Sequence, residues 1–571
     1  MDRNNFLKTV FTPLATYNNV VTKKMGTIKD VITDPFTGTI SPYIGSWTEN
    51  EIIHLLKRLT FGAPIEEVQY FKTLTYTQAI DELLSTRNTD ANLGAPLKTY
   101  TVSNLTTPTT DADWSVPLGR TWANTPTSSG SVNSARRQTL KAWWLNNMIN
   151  QPRSIEEKMI LFWSTHFAIE FDTVNTATLN YKYLQTLRQY CLGNFKAFTK
   201  AITLDPAMLI YLNGYLNTKT APDENYAREL QELFTMGKGP QSLYTEDDVK
   251  AAAKVLTGYD VDKSTATSFF KENKHDTNPK QFSAAYNNTI INRPIADATL
   301  ELDDLLDMIF NVNEVSKYIC RRLYRFFVYD DITAETELNI ITPLAATFKN
   351  NNYEIQPVLA QLFKSAHFFD VLQYGATIKS QVDYIVGMAR ECKINFPPKS
   401  NPILLYKHVG YLSNNILPTL NQDIGDPPNV SGFAAYYQTP LFDKIWVDSD
   451  TFTKRQALVA QLLGTGYSNA GFKLLIDAVA IAKRMPNPAN PDDLVLDINT
   501  YFLRRTLSQT LRDNIKAEIL LTGQASDYYW SDAWFDYINN PADLNNYSVV
   551  NTRLKNLISY FISKLEEYHL M

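Results

Sequence analysis

The sequence predicts an all-α protein, a multi-helix bundle with long loops and at most a small β-hairpin. Three observations predict it. Apolar residues recur at the 3.6-residue spacing of amphipathic helices, side chains suited to capping stand at the starts of those stretches, and the period-two alternation of strands is nowhere sustained. With 571 residues, 44% hydrophobic and 20% charged, there is ample apolar material for an extended helical core or for two to three domains.

The elements follow in order. Residues 1–47 form an N-terminal arm. Its Met1-Asp2-Arg3-Asn4-Asn5-Phe6-Leu7-Lys8 start lacks the second arginine and the apolar run of a twin-arginine export signal. Thr48 opens a helix with Ile52, Leu55, Leu56 and Leu59 on one face, stopping at Gly62. A second helix starts at Ser154, where Ser154 and Glu157 have capping-box spacing, and carries Ile155, Met159 and Phe162 toward His166. Further helices are expected over 140–150, 180–191, 223–236, 247–256, 315–327, 380–392 and 553–567, with a hairpin around 286–291. Residues 95–134, rich in Thr, Ser, Pro and Asn, are expected to form a long loop serving as lid, insertion or mobile segment. The proline-rich stretches 418–440 and 486–493 are expected to connect helical sub-bundles. The core thus runs over 48–460, followed by a helical region, 461–571, that could belong to the same domain.

Composition narrows the partners. The formal net charge is -5 and basic residues are scattered, which sets nucleic acid aside. No apolar run reaches membrane-spanning length, so no transmembrane segment is expected. The three cysteines, Cys191, Cys320 and Cys392, stand far apart in apolar or helical contexts and read as buried thiols rather than a disulfide framework. Neither a phosphate-binding glycine loop, nor a zinc-binding HExxH, nor a nucleophile elbow occurs.

A dense run of motifs begins at Leu204: LDPAMLIYLNGYLN, DENYARELQELFTMGKG from Asp223, YTEDDVKAAAKVLTGY from Tyr244, and KHDTNPKQF from Lys274. Around it stand HLLKRLTFG from His54, FWSTHF from Phe162, LGNF from Leu192 and DPPNVSGF from Asp426. In content and order these motifs resemble the bacterial family catalogued as domain of unknown function 1800, across about 48–460. The resemblance implies a frequently exported protein, periplasmic or extracellular, although a cytoplasmic location remains open from the residues alone. It also implies genes that often neighbour those of a second uncharacterised family resembling sulfatases. Relatives often carry a histidine where this chain has Ser164 and an aspartate where it has Asn213, so a metal site built on those positions would lack two ligands here.

Within 223–236, Tyr226, Leu230, Leu233 and Phe234 make an apolar face, while Asn225, Glu229 and Glu232 share another. Arg228 adjoins the carboxylates, Gly237 supplies the stop, and Thr245 with Asp248 opens the next helix. Glu229 and Glu232 could hold a divalent cation with help from histidine, or act as general acid and base. They could instead be neutralised by Arg228 and a second cation in a buried network that fixes helix packing. This network is favoured over both the cation site and the acid-base pair, since structural ion pairs gather the same residue types. His166, followed by Glu170 and Asp172, and His275 with Asp276 and Lys280 are the further candidates. A core or dipole role for His166 and a surface turn for His275-Asp276 stand beside them. Two functions remain open: a hydrolase acting at the cell envelope through Glu229, Glu232, His166 and His275, or a non-enzymatic helical scaffold for a partner protein or polysaccharide.

Overall fold

The computed structural model describes residues 39–88, 93–103, 111–433 and 442–571. Helix accounts for 58% and, among the described residues, strand is confined to three two-stranded sheets, so the chain is predominantly helical. The expectations for 1–38 lie outside the described residues, as do those for 89–92, 104–110 and 434–441.

The helices used below are α1 (Glu49–Leu59), α2 (Gly130–Ile149), α3 (Glu156–His166), α4 (Ala177–Tyr190) and α5 (Pro206–Tyr211). They continue with α6 (Asn225–Glu229), α7 (Glu246–Val255), α8 (Glu301–Phe310), α9 (Asn313–Phe327), α10 (Gln381–Glu391) and α11 (Pro402–Gly410). The C-terminal pair is α12 (Tyr528–Asn539) and α13 (Leu544–Ser559). One buried cluster extends from Ile52 to Tyr568, so residues before and after 460 bury their apolar faces against shared neighbours.

Several starts follow from capping chemistry. Thr48 and Glu51 form a reciprocal capping box ahead of α1, and Thr245 with Asp248 does the same for α7. The expected box at Ser154 and Glu157 does not form. The Ser154 hydroxyl binds the Thr86 carbonyl, while Glu157 is buried and pairs with Arg188 at 2.8 Å, so tertiary charge pairing outcompetes the local cap.

The expected loop over 95–134 ends early, because α2 begins at Gly130, capped by Ser129. Its described residues pack against α2: Trp122 is buried with its indole N–H on Thr139, and Asp113 pairs with Arg136 at 2.7 Å. Likewise, the connector expected over 486–493 gives way at Pro491, whose fixed φ suits the first turn of a helix.

Strands are more numerous than the single hairpin expected near 286–291. There, β3 (Lys280–Gln281) pairs with β4 (Ile290–Ile291), and Tyr286 lies in the connection rather than in a strand. The other pairs are β1 (Tyr259–Asp262) with β2 (Thr267–Phe270), and β5 (Tyr467–Asn469) with β6 (Phe472–Leu474). Strands of two to four residues leave too short an alternation for sequence to register.

Candidate functional site

The helix bearing Glu229 and Glu232 changes pitch between them. From α6 it runs unbroken into a π-helical turn, Leu230–Met236, in which the Thr235 hydroxyl donates to the Leu230 carbonyl at 2.6 Å. Tyr226, Leu230 and Phe234 are buried as expected; α6 packs against α7, and the turn packs against α9. Gly237 ends it at φ 79° and ψ −178°, a region open essentially to glycine alone. A Cβ there would also meet the Tyr318 ring at 2.8 Å. Four further π turns occur among the described residues, so this geometry alone does not mark a site.

The two carboxylates differ. Both are half-buried. Glu232 pairs with the exposed Lys238 at 3.2 Å, whereas among the described residues no hydrogen bond or ion pair reaches Glu229. Burial first, and then the neighbouring charge of Glu232, pushes the Glu229 carboxyl up to about 7. Arg228 opposes that shift electrostatically but does not neutralise the pair. Its guanidinium turns to Glu246, gripping both carboxylate oxygens at 2.8 and 2.7 Å, and to Glu224 at 3.1 Å. Asn225 is exposed and reaches the Leu212 carbonyl at 3.4 Å.

Two tyrosines flank the pair. Burial and the charges of Glu232 and Glu229 raise Tyr244 to about 12. Tyr211, at the end of α5, is raised by burial and by Glu170, whose carboxylate accepts its hydroxyl at 3.3 Å; Asp426 and Glu229 also act on it. The segment carrying Asp426 rests on the end of α3. The Phe171 amide donates to the Gly425 carbonyl at 2.8 Å, and a Cβ at Gly432 would lie 2.5 Å from the Thr165 carbonyl. Asp426 caps the Asp172 amide at 2.8 Å, and Lys141 from α2 binds Asp423 and Asp426 at 2.6 and 2.7 Å. Three carboxylates thereby act on Tyr211: Glu170, just after FWSTHF, through a hydrogen bond, and Asp426 of DPPN and Glu229 through their charge. Tyr211 and Lys141 are not among the sequence candidates, and Asp426 enters there only as the start of the DPPNVSGF motif.

The histidines sit elsewhere chemically. His166 is buried in an aromatic cage of Phe162, Trp163, Phe167 and Phe234, with its Nε2 on the Phe234 carbonyl at 3.0 Å. It therefore satisfies a carbonyl of the π turn. Burial, helped by the charge of Arg322, lowers its basicity well below the usual histidine range, so it is neutral. His275, Asp276 and Lys280 are buried rather than placed on a surface turn. Lys280 binds Glu301 at 2.6 Å and the Asp276 carbonyl at 2.5 Å, with both charged side chains fully buried. His275 Nδ1 meets the Thr257 carbonyl at 2.9 Å, and its Nε2 lies 3.2 Å from Glu301. Burial disfavours the Glu301 carboxylate, but His275 and Lys280 hold it below the usual carboxylate range. Among the described residues no hydrogen bond or ion pair joins either histidine to Glu229 or Glu232, and no group of three or more His, Cys, Asp or Glu is arranged to hold a metal.

Ser164 donates back to the Leu161 carbonyl at 2.8 Å, and Asn213 occupies a left-handed turn at φ 59°. All three cysteines are free and buried. Among the described residues no helix is long and apolar enough to cross a membrane.

Comparison with known proteins places the sequence. No curated protein and no solved structure matches it. A family model described as Protein of unknown function (DUF1800) matches residues 54–546, and the chain belongs to that family.

Proposed function

We propose that the protein is a hydrolase of the cell envelope in which Glu229 is the proton-transferring group and Glu232 its charged neighbour. The observation that carries this reading is a half-buried carboxyl with no hydrogen bond among the described residues, raised to about 7 beside a second carboxylate that has its own cation. A carboxyl raised by burial and by a neighbouring carboxylate is suited to carry a proton near neutral pH. Protonated, Glu229 donates to a leaving group; Tyr211 and Tyr244, which feel its charge, stay protonated. Neither His166 nor His275 is given a proton-transfer role, because each is engaged in the core. The envelope, and a bacterial source, rest on the family resemblance alone.

The test is release of reducing ends from purified cell-wall polysaccharide across pH 5 to 8. Glu229→Gln should lower the rate by about 100-fold or more, and wild-type activity should fall as pH rises through about 7. A full rate in Glu229→Gln, or no release by wild type at any of these pH values, sinks the reading.

A scaffold reading has its own support. Tyr528, Phe535 and Ile538 of α12 and Leu544 of α13 are exposed large apolar groups, the composition of a protein-binding face.

A further inference from the structure

A polar concavity lies where the C-terminal ends of α2 and α10 meet the loop after α10. It encloses about 570 Å³, within the range of small-molecule sites. Its wall includes Gln151 and Arg390, and its apolar surface comes from Ile149, Phe396, Pro397 and Leu405.

The polar groups of this groove are incompletely matched. Gln151 is buried, yet among the described residues neither its amide nitrogen nor its amide oxygen has a partner. Arg390 uses Nη1 alone, donating to the Ile149 and Gln151 carbonyls at 3.3 and 3.5 Å, which caps the end of α2. Its Nε has no partner among the described residues. Nearby carboxylates are already taken: Glu67 by Arg153 at 2.6 Å, Glu391 by Lys57 at 2.7 Å, and Glu66 by Lys393 at 2.8 Å. A guanidinium without a carboxylate, next to a desolvated amide missing both a donor and an acceptor, is an unusual pairing to leave open.

The complement is a ligand with a carboxylate for the guanidinium, a peptide group to return one hydrogen bond to each end of the Gln151 amide, and an apolar side chain for Phe396 and Pro397. We propose that this groove binds a short peptide or acylated amino acid bearing a free carboxylate, held by Arg390 and Gln151. It is separate from the Glu229 seam, and its success or failure is independent of the hydrolase reading.

Isothermal titration calorimetry on the full chain at pH 7 tests it, with N-acetyl-leucine, N-acetyl-leucinamide and N-acetylglucosamine as probes. N-acetyl-leucine should bind saturably and about ten-fold or more tighter than its amide, since only the acid can engage the guanidinium as a charge-assisted pair. Arg390→Gln should erase the preference for acid over amide, and Gln151→Leu should weaken both several-fold. Absence of saturation by N-acetyl-leucine up to about 10 mM would overturn the proposal. So would equal affinity for acid and amide in the wild type, tighter binding of the sugar, or an unchanged preference in Arg390→Gln. Should Arg390→Gln fail to fold, the wild-type comparison of acid with amide and the Gln151→Leu titration decide alone.

Discussion

The Glu229 seam and the His275 cluster carry the same kinds of residue and come from neighbouring motifs, but they have opposite electrostatics. In the cluster, Lys280 and Glu301 are fully buried and paired at 2.6 Å, and Glu301 is held below its usual range. In the seam, Glu229 is half-open, unpaired and pushed up to about 7. Burial penalises a charge in both places; what differs is whether the fold supplies a partner. A satisfied buried pair fixes packing, whereas an unsatisfied half-open carboxyl is left with a proton to exchange.

The comparison can be broken first at the cluster. Lys280→Met should cost about 3–5 kcal/mol in urea denaturation, because Glu301 loses its cation in a water-free site, and a second change to Glu301→Gln should recover part of that loss. A cost near zero would make the cluster a solvated site rather than a structural one. At the seam's end, Gly237→Ala should cost about 2–3 kcal/mol, through backbone strain and the Tyr318 ring, readable as a fall in melting temperature.

His166 sharpens the contrast by pH. Its folded basicity is lowered, so the unfolded chain binds the proton more readily, and its contribution to stability is lost as pH falls through about 6.5. Relative to His166→Gln, the wild type should therefore lose about 1.4 kcal/mol per pH unit below that point. Parallel stability profiles for the two proteins would show instead that His166 titrates alike folded and unfolded.

Much of this was legible in the sequence for physical reasons. The capping boxes at Thr48 and Thr245, the apolar face of Tyr226, Leu230 and Phe234, and the stop at Gly237 are local, and local rules found them. Glu157 was misread because its partner, Arg188, arrives from a different helix. Arg228 adjoins Glu229 in sequence, yet it pairs with Glu224 and Glu246, the second of which lies on α7. The burial of His275 and its proximity to Glu301 likewise depend on α8 closing over a polar loop. Side-chain direction across elements is set by packing, which composition and periodicity do not encode.

Glu229 carries the central claim, and its titration tests it most directly. A raised carboxyl favours folding only while protonated, so the wild type gives up stability as pH rises from about 4.5 through about 7, and Glu229→Gln escapes that loss. Measured by urea denaturation, Glu229→Gln should match the wild type at pH 4. At pH 8 it should be more stable by about 1–2 kcal/mol, a value discounted for solvent screening of a half-exposed group. A variant that is instead less stable at pH 8, by about 3 kcal/mol, would show a paired structural carboxylate and contradict the account.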